Sequence, residues 1–136
     1  MKKTIRKPFT LIEILIVVII LGTLAAIVIP QFRSIAIDSE EKAIKTNLAT
    51  LRISIETYIT ITKKFPNKCT DLTKTKTING IKIEALLKEI PTNSANNKSN
   101  VTETTAAFGT IQNKKGWNYN KATGEIWADT TGHETF

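Results

Sequence analysis

The stretch from Pro8 to Pro30, PFTLIEILIVVIILGTLAAIVIP, is nearly unbroken hydrocarbon interrupted by one carboxylate, Glu13. As a helix at ~1.5 Å per residue, Phe9 to Ile29 extends about 31 Å, against a bilayer hydrocarbon thickness of about 30 Å. The segment is long enough to cross a membrane. In a chain of 136 residues it leaves room for one small soluble body.

Charge is distributed unevenly around this run. The formal net charge is +7, but Lys2, Lys3, Arg6 and Lys7 all precede the run, leaving +3 for everything after it. That remainder is too diffuse to argue for nucleic acid as a partner. Basic residues and no acid before an apolar segment predict an N-terminus kept in the cytoplasm and a body on the far side. A secretory signal peptide shares the basic start, but it ends in a small-residue cleavage site after a shorter apolar core. Here the apolar period continues through Pro30 into an amphipathic pattern, so cleavage at Ala25-Ala26 would cut a helix rather than free a domain. A single cysteine, Cys69, forms no internal disulfide, and the single histidine, His133, lies far from it in sequence. No metal or cofactor is expected.

The residues KPFTLIEILIVVIILGTLAAIVIPQF resemble the class III signal of type IV pilins and pseudopilins. The likeness consists of a short basic leader, Phe at the start of the mature chain, Thr-Leu-Ile-Glu, an apolar helix and a proline at its end. The resemblance implies that a prepilin peptidase cuts between Pro8 and Phe9 and methylates the new amine of Phe9. One position departs from the family pattern: Pro8 stands where Gly is usual, with a fixed φ and no N–H.

A carboxylate in hydrocarbon is expensive and calls for a partner. The resemblance implies one for Glu13, the freed amine of Phe9 in an adjacent subunit, when apolar helices stack into a filament core. A glutamate one turn into a helix also faces the positive end of the helix dipole. From the residue alone, a Glu near the interface that snorkels toward headgroups fits as well. Gly22 and Pro30 weaken the helix between them. The family uses such a bracket to bend or locally melt the helix, while an ordinary membrane helix tolerates both residues.

Beyond Pro30, Ile44, Leu48, Leu51, Ile55, Tyr58 and Ile59 recur at steps of three and four, marking one apolar helical face. Glu41 and Lys45 stand four apart in the favourable order. Lys63 and Lys64 suit the negative end of the helix and Pro66 forbids its continuation. These signals predict one long helix from about Phe9 to about Thr62, kinked near Pro30. Ile83, Leu86, Leu87 and Ile90 predict a second, short helix over Ile81 to Ile90, preceded by an Asn79-Gly80 turn. Pro91 to Thr105 reads as an exposed polar loop. Ala107, Phe108 and Ile111 suggest a strand. Trp117 and Tyr119, a turn at Lys121 to Gly124, then Ile126 and Trp127 suggest antiparallel strands whose aromatic residues cover the helix.

The expected fold is α+β and pilin-like, a long N-terminal helix with a transmembrane half and an amphipathic half, packed on a small C-terminal antiparallel β-sheet. Residues 1–8 are read as a prepilin leader and 9–30 as the transmembrane and filament-core helix. Residues 31–136 form a globular pilin-like domain that includes the amphipathic helix half. GWNYNKATGEIWAD further resembles the Gly-Trp-x-Tyr...Thr-Gly-Glu ending of many type II secretion pseudopilins. With the short body and the lack of a disulfide-closed C-terminal loop, this makes a type II secretion pseudopilin the leading expectation. A type IV pilus subunit or minor pilin for adhesion, motility or DNA uptake is the alternative, and a membrane-anchored extracytoplasmic binding module represents another class. No reading makes the chain an enzyme. The implied partners are like subunits in a helical filament, the prepilin peptidase, an inner-membrane assembly platform driven by a cytoplasmic ATPase, and membrane lipid. The implied location is the inner membrane, then a periplasmic or surface filament.

Overall fold

A computed structural model describes residues 8–78 and 80–136. Residues 1–7, with the basic charges of the expected leader, lie outside these, as does Asn79 of the expected turn. One helix, α1 (Leu11–Thr62), is followed by a 3-10 turn at Cys69–Thr73 and strands β1 (Lys76–Ile78), β2 (Ile81–Ile83), β3 (Val101–Thr104), β4 (Trp117–Asn120) and β5 (Ile126–Ala128). The chain divides into two units, Met1–Asp38 and Ser39–Phe136.

In the first unit every described residue is exposed, including Leu11, Ile19, Leu24 and Ile29. The helix passes unbroken through both Gly22 and Pro30.

In the second unit Ile44, Leu48 and Leu51 of the predicted stripe are fully inaccessible and Ile55 and Tyr58 nearly so, while Ile59 at its margin is half-buried. They pack with Cys69, Leu72, Val101, Trp117, Tyr119, Ile126 and Ala128. The solvent side of the helix carries the expected Glu41–Lys45 ion pair at 2.6 Å. Several hydroxyls there fold back onto their own helix, Thr46 onto Lys42 O at 2.9 Å, Thr50 onto Thr46 O at 3.0 Å and Thr57 onto Ile53 O at 2.8 Å. The helix ends where Lys63 enters the left-handed region (φ 57) and donates its N–H to Ile59 O. The Thr62 hydroxyl bonds Tyr58 O, and the Lys64 N–H is given to Thr62 Oγ1.

The sheet is β3-β4-β5, with β4 antiparallel to β5 but parallel to β3. The expected all-antiparallel sheet is thus mixed. A parallel neighbour needs a crossover of about a dozen residues, and residues 105–116 supply it. The strand expected at Ala107 to Ile111 is part of this crossover, folded by a turn in which Thr110 N–H bonds Ala107 O at 3.2 Å and Gly109 takes φ 84.

Strands β4 and β5 are buried on both faces. Trp117, Tyr119, Ile126 and Ala128 face the helix cluster, with Trp117 Nε1 donating to Pro91 O at 2.7 Å and the Tyr119 hydroxyl to Pro66 O at 2.9 Å. Asn118 and Asn120 project the other way and clamp the crossover, donating to Thr110 O and Ala106 O. Trp127 lies on that same outer face rather than over the helix. It is fully buried, donates to Thr110 O at 2.9 Å and meets Phe108 edge-on at 5.6 Å between centroids. Both tryptophans are therefore core residues, of opposite faces.

The expected helix at Ile81 to Ile90 is absent from the described residues. Ile81–Ile83 instead pairs antiparallel with Lys76–Ile78, Ile78 opposite Ile81, and Gly80 has φ 78. A two-residue connection with a left-handed glycine favours a hairpin, and the i, i+3, i+4, i+7 pattern is too short to resist it. The N–H groups of Leu86 and Leu87 both reach Leu72 O, at 2.9 and 3.0 Å.

The polar segment after Pro91 is also more structured than its composition predicts. Asn93 is fully buried, donating to Gly116 O at 2.8 Å and accepting from the Ala95 N–H at 3.0 Å, and Val101–Thr104 is strand β3. Asp129 is a second buried organiser. Its Oδ1 accepts from the N–H groups of Gln112 and Asn113 and from Asn118 Nδ2, and its Oδ2 from those of Lys114 and Lys115. Burial opposes its charge, yet the hydrogen bonds outweigh burial and hold its pKa below the ordinary carboxylate value.

Candidate assembly segment

The start of α1 is built by two residues. Glu13 Oε2 accepts from both the N–H and the hydroxyl of Thr10, each at 2.8 Å, and the Glu13 N–H is given back to Thr10 Oγ1 at 3.3 Å. This is a reciprocal capping box, which satisfies N–H groups left open at a helix N-terminus. Its sequence signal, Thr followed three residues later by Glu immediately before an apolar run, is present in Thr10-Leu-Ile-Glu13, although the family likeness pairs Glu13 with Phe9 and gives Thr10 no role of its own. In the single chain the carboxylate is thus held by Thr10. Oε1 makes none of the hydrogen bonds of the described residues.

Phe9 precedes the helix and is 77% exposed. Pro8 is likewise exposed. Around them, Leu11, Ile12, Ile14 and Leu15 continue the exposed apolar surface. Gly22 sits mid-helix with open space where a Cβ would project. This helix is long and apolar enough to cross a membrane by length and composition.

Elsewhere the chemistry-bearing residues are committed to the fold. Cys69 is fully buried in the helix-facing core, and burial pushes its thiol pKa up, with Glu103 and Asp71 adding to the effect. His133 belongs to another neighbourhood, its ring edge-on to Phe136 at 5.3 Å and its Nδ1 3.5 Å from Thr130 Oγ1. A groove of about 440 Å³ is lined by Ile55, Ile59, Phe65 and Phe108 with Arg52 and Glu56. Arg52 is itself engaged by the backbone oxygens of Ile126 and Phe136.

Among known proteins the chain is similar to type IV major fimbrial protein FimA of Dichelobacter nodosus. One such relative is 42% identical over 62 residues, covering 46% of this chain and 39% of the relative. Two others are 42% and 44% identical over 57 residues, covering 42% of this chain and 36% of each relative. These relatives are fimbrial proteins. The matched stretch spans less than two fifths of their length. No family model matches the chain, and no solved structure matches it.

Proposed function

We propose that this chain is a pilin, a structural subunit of a type IV pilus filament and not an enzyme. Residues 9–30 hold it in the inner membrane, residues 31–136 lie outside the cytoplasm, and the apolar helix later moves into a filament core. The observation that carries this reading is the bare helix start. An apolar helical stretch that is exposed along its whole length, from Leu11 through Ile29, opens on Phe9, Thr10 and Glu13, in a chain similar to type IV major fimbrial proteins. So large an apolar surface is stable only in lipid or against copies of itself. A helical filament results when such copies meet through heterologous contacts that do not close into a ring.

In this reading a prepilin peptidase removes residues 1–8 and methylates the Phe9 amine. That amine then pairs with Glu13 of a neighbouring subunit, through the oxygen that Thr10 leaves free. Gly22 and Pro30 let the helix adjust as it moves from lipid to filament, and an inner-membrane platform drives the transfer. The fimbrial relatives favour the pilus over the type II secretion filament. The secretion reading rests on the short body, the lone cysteine that closes no C-terminal disulfide loop and the GWNYN...TGEIW ending, whose Trp117, Tyr119 and Trp127 serve the core.

Intact mass spectrometry of the protein from its native cells tests the proposal. A chain beginning at N-methylated Phe9 and recovered from sheared surface filaments supports it. A mature chain still beginning at Met1 overturns it, and processed protein confined to a secretion complex returns the secretion reading.

A further inference from the structure

The charges that bound the apolar run carry spatial information. After Glu13 the next charged residue is Arg33, twenty positions on. On a helix that continues through both, this separation is about 30 Å, one hydrocarbon thickness. Everything between, Ile14 to Phe32, is uncharged. Phe32 closes this run and is 67% exposed, and apolar residues continue past Arg33, with Ile35 62% and Ile37 56% exposed. Val28, Phe32 and Ile35 recur at steps of four and three and share a helix face, whereas Gln31, Ser34 and Asp38 share another. Arg33 takes part in none of the ion pairs of the described residues.

We infer that Phe32, Arg33 and Ile35 form an interfacial anchor for the lipid headgroup layer, at the end of the span opposite Glu13. The Arg33 guanidinium takes lipid phosphate oxygens, for which its planar fork of donors is suited. Phe32 and Ile35 rest at the boundary between headgroups and acyl chains, where an amphipathic helical face is at home. The pair Glu13 and Arg33 thereby fixes the depth at which the subunit floats, because sliding in either direction draws one charge into hydrocarbon. The inference rests on the membrane-held state proposed above and adds a lipid contact that the span itself does not require.

The test uses the full chain in vesicles of phosphatidylethanolamine and phosphatidylglycerol, with a fluorophore on a cysteine introduced by L24C, S34C or K42C. Native Cys69 is buried and escapes labelling. Quenching by lipids spin-labelled in the headgroup or deep in the acyl chain reads the depth of each site. The label at position 24 should be quenched most by the deep probe, that at 34 most by the headgroup probe, and that at 42 by neither. Adding R33L should shift the position-34 label toward the deep probe. A position-34 label that is unquenched, or as deep as position 24, or unmoved by R33L, overturns the anchor while position 24 still reports a span. Loss of quenching at position 24 overturns the anchor and the membrane-held state together.

Discussion

The Asn118 side-chain amide lies 2.9 Å from the Asp129 carboxylate, joining β4 to the residue that follows β5. Through that carboxylate the two strands also hold the N–H groups of residues 112–115, so one buried acid fixes the end of the crossover that makes the sheet mixed. Removing it with Asp129→Ala takes the partner from these part-buried donors and from the buried Asn118 amide. The expected loss is about 2–3 kcal/mol of stability, read as a lower urea midpoint for the chain in mild detergent.

The same carboxylate sets an acid limit. Its pKa is lower in the folded chain than in the unfolded one, so its contribution is complete above the unfolded value of about 3.9. It falls away as pH drops through the lower folded value. Stability measured from neutral pH downward should decline below about pH 4, and Asp129→Asn should flatten that decline. An equally steep decline in the variant would assign it to other carboxylates.

Gly116 tolerates no side chain, because a Cβ there would stand 2.0 Å from the carbonyl oxygen of Lys98 and 2.8 Å from its carbon. Both atoms belong to backbone tied by the Asn93–Lys98 bridge, so they cannot swing aside. Gly132 also has positive φ, yet has open space around it. Gly116→Ala should therefore cost about 3 kcal/mol or more, and Gly132→Ala only the ~1–2 kcal/mol of its left-handed backbone. Thermal unfolding of the two variants measures the ranking.

Tyr119→Phe deletes the hydroxyl that reaches Pro66 O and changes nothing else in the core. The expected cost is about 1–2 kcal/mol, with the near-UV circular dichroism of the tryptophans preserved. A larger loss would mean that the chain after α1 is located chiefly by this bond.

Glu13→Gln and Thr10→Val act on the helix start, remote in sequence from the core residues of the second unit. Both should leave the unfolding of residues 39–136 unchanged. Filament yield, counted by electron microscopy of sheared material, should fall severely for Glu13→Gln and less for Thr10→Val, which keeps the charge and the backbone N–H bond to it and removes only the hydroxyl half of the cap.

Much of this was legible in the residues. The long helix and its buried stripe follow from the spacing of Ile44, Leu48, Leu51, Ile55 and Tyr58, since a 3.6-residue period has one reading at that length. The hairpin at Lys76 to Ile83 was hidden because Ile83, Leu86, Leu87 and Ile90 also fit a helical face, and the turn glycine decides between two weak periodicities. Composition misled at Pro91 to Thr105, where Asn93 is buried because its amide replaces missing backbone partners. Asp129 left no local signal, as its donors lie 11 to 17 residues away. At the candidate site, Glu13 stood out as a charge in an apolar run, while its bond to Thr10 required reading the same four residues as a cap.

The burial of the α1 stripe has a consequence in time. The residues that cover Ile44 through Tyr58 include Trp117, Tyr119 and Ile126, so the last of the stripe leaves the ribosome 59 residues before the first of these. At roughly 5–20 residues per second, the wait is on the order of 3–12 s. Throughout it that face lacks its largest covering side chains, next in sequence to a segment apolar enough to cross a membrane, which makes the newborn chain most vulnerable to aggregation before its last twenty residues exist.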